Sequence, residues 1–143
     1  MRLAISAFVL SLLAALWSGP ASAQDGAGKL TVELNKFEEG DGGGCRAFFL
    51  FRNRTDMTLE GFEMSLAILN TNGVIDRLLT IDAAPLPAAR TTLKLFEIPE
   101  TGCSDISEIL LHELASCRPQ NADEIDCFPV MELVSRTPAG LVK

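Results

Sequence analysis

Four cysteines (Cys45, Cys103, Cys117 and Cys127) and one histidine (His112) are the residues whose chemistry stands out most in this chain. No two cysteines are spaced C-x-x-C, the nearest two lie ten positions apart, and one histidine cannot complete a usual zinc set. The thiols therefore read as two structural disulfides rather than a metal or redox centre. His112 is the one side chain with an ordinary pKa near neutrality, and Glu113 follows it. Neighbours on a strand point to opposite faces, so the two would act together only if the segment were helical. No serine sits in a G-x-S-x-G setting, and any triad would have to recruit the same histidine. His112 reads as a surface or edge residue, and no catalytic, cofactor-binding or metal-binding residue is assigned.

Two acidic loops, Glu38-Glu39-Gly40-Asp41 and Asp123-Glu124-Ile125-Asp126, offer oxygen ligands for calcium, but neither has EF-hand spacing. Solvated turn charge explains them better. Asn53-Arg54-Thr55 fits a glycosylation sequon and reads as a turn capped by a side chain. Ala83 to Ala89 reads as the one apolar loop available to a partner, through Pro85, Leu86 and Pro87; the competing reading has Leu86 plugging the end of the fold. With 12 basic and 19 acidic residues, a formal charge of −7 and no basic run, the chain lacks a nucleic-acid footprint.

Residues 1–23 have the form of a secretory signal: Arg2, an apolar run from Leu3 to Trp17, a Gly-Pro break, and Ala21 and Ala23 in A-x-A order before Gln24. The run is too short to span a bilayer comfortably. Cleavage before Gln24 leaves a more acidic domain with neither Trp nor Tyr, which argues against a sugar-binding platform, and with no membrane span.

The elements that must position the thiols follow a period of two. Residues 24–29 read as a frayed start. Leu30, Val32 and Leu34 alternate as strand A, ended by the Gly-rich Glu38 to Gly44. Cys45 to Arg52 lacks alternation and reads as a central strand B covered on both faces. Phe62, Met64, Leu66 and Ile68 form one face of strand C, and Asn72-Gly73 supplies a tight hairpin to strand D, Val74 to Ile81. Thr91 to Ile98 is strand E, with Leu93 and Leu95 inward. Ser104 to Cys117 also fits a helical stripe through Ile106, Ile109, Leu110 and Leu114, but a strand F completes the sandwich better. Strand G is Cys127 to Ser135, and residues 137–143 read as a loose tail. The expected fold is all-β, an antiparallel immunoglobulin-like sandwich of about seven strands over residues 30–136.

Alternating strand direction brings Cys45 and Cys103 to one end and Cys117 and Cys127 to the other. A bridge needs Cα atoms within about 7 Å, which selects Cys45–Cys103 and Cys117–Cys127.

Phe49-Leu50-Phe51-Arg52-Asn53-Arg54-Thr55, Asn72-Gly73-Val74-Ile75 and Pro85-Leu86-Pro87-Ala88 resemble the layout of FxLYD-type sandwich domains. Leu86-Pro87-Ala88-Ala89-Arg90, Cys103-Ser104-Asp105-Ile106, Ile109-Leu110-Leu111, Cys117, Cys127 and Ser135-Arg136-Thr137 are similar to a family of small exported alphaproteobacterial proteins labelled Tat pathway signal sequence domain proteins. That resemblance implies export and supports a strand over 106–117, although the chain has no twin arginine. It implies no activity and no site residues.

The expectation is thus an exported, disulfide-stabilised binding or accessory module of the bacterial cell envelope, periplasmic or secreted, with an envelope protein as partner and no cofactor. The rivals are a small hydrolase or metal-dependent enzyme using His112, and a calcium-stabilised structural protein.

Overall fold

The computed structural model describes residues 28–143; the signal segment and its cleavage residues Ala21, Ala23 and Gln24 lie outside the described residues. Period-two patterning builds eight strands: β1 (Leu30–Glu39), β2 (Cys45–Asn53), β3 (Leu59–Asn70), β4 (Ile75–Asp82), β5 (Arg90–Ile98), β6 (Ile106–Pro119), β7 (Met131–Ser135) and β8 (Gly140–Val142). They form two four-stranded sheets, ordered β5-β2-β1-β7 and β4-β3-β6-β8. The inward sets meet in one core. Leu30, Val32 and Leu34 of β1, Phe49 and Phe51 of β2, Phe62, Met64 and Ile68 of β3, and Ile109 and Leu111 of β6 are all buried. Phe51 packs edge-on against Phe62 across the two sheets, ring centroids 6.0 Å apart. Burying such a side chain contributes roughly 1.5–3 kcal/mol.

The segment with two periodicities is strand β6, because it forms the long antiparallel ladder with β3 that buries Ile109 and Leu111. The sandwich has eight strands rather than seven, and its sheets are mixed. β7 runs parallel to β1, and β8 parallel to β6. The residues read as a loose tail supply β8: Leu141 and Ala139 are buried, and the Lys143 ammonium donates to the carbonyls of Phe128 and Met131 at 2.9 and 2.8 Å. At the other terminus, Gly28 and Lys29 are tied to the Arg54 turn rather than frayed. The Gly28 amide donates to the Arg54 carbonyl at 3.0 Å, and the Arg54 amide to the Lys29 carbonyl at 2.9 Å.

Cys45 is bonded to Cys103 with Cα atoms 4.9 Å apart, and Cys117 to Cys127 at 6.2 Å. The first bridge ties the start of β2 to the turn after β5; the second closes the end of β6 onto the segment before β7. No helix among the described residues is long and apolar enough to cross a membrane.

β5 reverses the expected facing. Leu93 and Leu95 are 59% and 48% exposed, whereas Ile98 is buried and Phe96 packs against the core. A one-residue slip exchanges the faces of a whole strand, so the choice belongs to the strand rather than to each residue. It is set by Phe96, whose ring meets Phe49 at 5.8 Å, and by Ile98. Lys94, two residues before Phe96 and on the same side of the strand, sends its ammonium to the Ala84 carbonyl at 3.1 Å, so that its inward stem leaves no buried charge unpaired.

Candidate functional site

On the outer face of the β5-β2-β1-β7 sheet, ladder register places Leu93 opposite Leu50 and Leu50 opposite Glu33; Leu95 pairs with Phe48, and Thr91 with Arg52. Half of the face, on β5 and β2, is therefore apolar in two consecutive rows. Phe48 and Leu50 are half-buried, so β2 is central but not covered on both sides. The opposing sheet carries the apolar row Leu78, Ala67, Leu110 and Val142 between a row holding Ile75, Leu69 and Glu108 and a row holding Ser65 and Glu113.

Beside the two apolar rows lies an open groove of about 370 Å³. Into it project the cations Lys29, Arg52, Arg54 and Arg136 and the carboxylates Glu33 and Glu132. Glu33 is the anchor. Alternation predicts an exposed side chain there, yet Glu33 is only 3% exposed on the outside of the sheet. Its carboxylate accepts from the Asn35 amide at 2.7 Å and from Arg52 Nη2 at 3.2 Å, and Arg136 Nε lies 3.7 Å away. Asn35 falls where the β1–β2 register shifts, between Leu34 and Lys36. The Asn35 hydrogen bond, and then the hydrogen bond and charge of Arg52 with the charge of Arg136, hold Glu33 below the ordinary glutamate range against the opposing effect of burial. Lys29 pairs with Glu132 at the groove's other wall.

Because Glu33 is more acidic in the folded state, its contribution to stability is fully present above the unfolded value of about 4.3 and is lost as pH falls through the lower folded value. Glu38, through the Lys36 hydrogen bond, and Asp76, through the Thr101 hydroxyl, shift the same way. Comparison with Glu33→Gln isolates the one group. In thermal melts the wild type exceeds this variant at pH 7, and the gap narrows as pH falls below the ordinary glutamate range; a gap independent of pH contradicts the assignment.

The groove was not legible in the sequence. Its cations are scattered from position 29 to 136, and strand register alone gathers them. The one available signal was a charged residue, Glu33, inside a strongly apolar strand.

His112, the acidic loops and the Pro85-Leu86-Pro87 segment lie elsewhere. His112 is exposed on β6 at a bulge: Leu66 pairs with Leu111 and Ser65 with Glu113, leaving His112 without a partner on β3. The inserted residue breaks the alternation, so His112 and Glu113 both face solvent instead of opposite faces. Among the described residues, no group of three or more His, Cys, Asp or Glu is placed to hold a metal. Carboxylates of the acidic loops have internal partners. Glu124 accepts from the Ser116 hydroxyl at 2.8 Å and the Cys117 amide at 2.7 Å, Asp126 from the Phe128 amide at 3.0 Å, and Glu39 from the Cys103 amide at 3.1 Å. Pro85-Leu86-Pro87 does not form an apolar docking loop. Leu86 is fully buried and bonded to Leu59 by reciprocal backbone hydrogen bonds of 2.9 and 3.0 Å, leaving Pro85 exposed and Pro87 half-buried.

These features define a disulfide-stapled, all-β sandwich domain. In comparisons with known proteins, no family model matches the chain and no curated protein matches it in sequence, so the similarity to exported alphaproteobacterial proteins is not matched at family level. A solved structure, described as the structural characterization of IrmA from Escherichia coli, is similar with a TM-score of 0.57 at 12% identity, covering 73% of this chain and 90% of that one. At that identity the likeness shows the fold alone.

Proposed function

We propose that this chain is an exported binding module of the bacterial cell envelope, working in the periplasm, and that it docks a protein partner on the outer face of the β5-β2-β1-β7 sheet. The observation that carries this reading is the pair of exposed leucines, Leu93 and Leu95, set beside Phe48 and Leu50 in two adjoining rows. An apolar patch rimmed by charged groups marks an interaction surface more often than a bare sheet. The two disulfides, which persist in an oxidising compartment, support the location. A binding role also suits a domain whose one histidine stands exposed at a bulge, away from the groove.

The test is crosslinking of the mature chain in intact cells. Leu93→Asp combined with Leu95→Asp abolishes capture of the envelope partner, whereas His112→Ala leaves it intact and alters stability by less than about 0.5 kcal/mol, as expected for an exposed position. Capture that survives the leucine changes and disappears with His112→Ala transfers the role to an enzyme centred on that histidine.

A further inference from the structure

The groove beside the leucines has the wrong charge for its protein. Among the described residues, Lys29, Arg52 and Arg136 line it together with the carboxylates of Glu33 and Glu132, a positive balance on a molecule whose formal charge is −7. We infer that the groove receives carboxylate side chains of the partner, and that the partner's docking segment is acidic at one end and apolar at the other; this rests on the docking face proposed above.

Glu33 does not neutralise the groove; it organises it. One buried carboxylate lies between two guanidinium groups, hydrogen-bonded to Arg52 and ion-paired with Arg136 beyond hydrogen-bond range. A guanidinium carries five N–H donors, so neither cation is exhausted by this contact. Arg136 has 66% of its side chain open to solvent, its charge facing outward while Glu33 fixes its base. Planar forks of this kind match carboxylates geometrically. An acidic protein repels anions at a distance and admits them only where its field reverses, so the groove selects an acidic segment and fixes its register. The cationic and apolar zones are continuous, because Arg52 and Leu50 alternate on the same side of β2. A segment crossing the strands from β5 to β7, roughly 14 Å at the spacing of paired strands, touches both.

A protein segment fits this face better than a small anion, because the groove is open and half of the binding surface is hydrocarbon. The test uses the mature chain, residues 24–143, and three probes in fluorescence anisotropy: a labelled peptide with a leucine block followed by a glutamate block, its counterpart with lysine for glutamate, and inorganic phosphate as competitor. The glutamate peptide binds at least tenfold more tightly than the lysine peptide and weakens as salt rises. Arg136→Glu lowers its affinity at least tenfold, as does Leu93→Asp with Leu95→Asp. These positions are exposed, and unchanged melting curves establish that the variants fold.

Failure of the glutamate peptide to bind, equal binding of both peptides, or no effect of Arg136→Glu overturns the inference. If the leucine variant still abolishes partner capture in cells, the docking face survives that failure. Full displacement by millimolar phosphate reassigns the groove to free anions, which also overturns it. The Asp123–Asp126 loop with its exposed Ile125 gives a second copy of the chain similar chemistry. Self-association in sedimentation that Arg136→Glu removes therefore assigns the face to a homo-oligomer and overturns the acidic partner.

Discussion

Cys45→Ser together with Cys103→Ser lowers folding stability by about 4 kcal/mol, because that bridge closes 58 residues and its loss returns the corresponding loop entropy to the unfolded chain. The shorter bridge, Cys117–Cys127, spans ten residues, and its removal costs about 3 kcal/mol. Domains of this size are stable by roughly 5–15 kcal/mol, so the first change removes a large share of the total. Urea titrations of the two double variants test the order. A larger loss from the short bridge contradicts the entropic account and assigns the difference to local packing around Cys117, which is buried beside the β6 terminus.

The second large effect belongs to Asn53. Its side chain is buried with all its hydrogen-bonding capacity used: Nδ2 donates to the carbonyls of Met57 and Leu86 at 2.8 and 3.0 Å, and Oδ1 accepts from the Thr55 amide at 3.1 Å and its hydroxyl at 2.6 Å. Asn53→Ala removes all four bonds at once, taking the acceptor from the Thr55 amide and leaving the Met57 and Leu86 carbonyls with one donor each, for an expected loss of about 3 kcal/mol. The bond to Leu86 also holds the plug that seals this end of the core, so Asn53→Ala and Leu86→Ala are non-additive in a double-mutant cycle. A loss below about 1 kcal/mol, or strict additivity, refutes this role. With its amide engaged in the interior, Asn53 of the folded chain is closed to glycosylation.

The sandwich was legible where one face is apolar and the other polar. β3 shows this best, with Phe62, Met64 and Ile68 buried and Glu60 exposed. β5 was not, because it carries apolar residues at Leu93 and Leu95 on one side and at Phe96 and Ile98 on the other. Alternation fixes a period, and the phase is chosen by cross-sheet packing that a single strand does not contain. The bulge that turns His112 and Glu113 to the same solvent side is likewise a property of two strands of unequal local length. The closing strand β8 was missed because three residues are too few for a periodic signal. The groove was missed for a similar reason: no local pattern joins Lys29 to Arg136, and only the parallel pairing of β1 with β7 makes them neighbours.

That parallel pairing also orders events in time. Leu30 finds Met131 only after most of the polypeptide is available, and the β6–β8 contact arises later still in the chain. Such distant closures fold slowly, on the millisecond-to-second scale rather than in microseconds. A chain emerging with its amino end first must hold one flank of its opening strand unmatched until its final segments arrive. Completion of this domain is thus a terminal event of its biosynthesis, and a polypeptide halted before β7 has no partner for that flank.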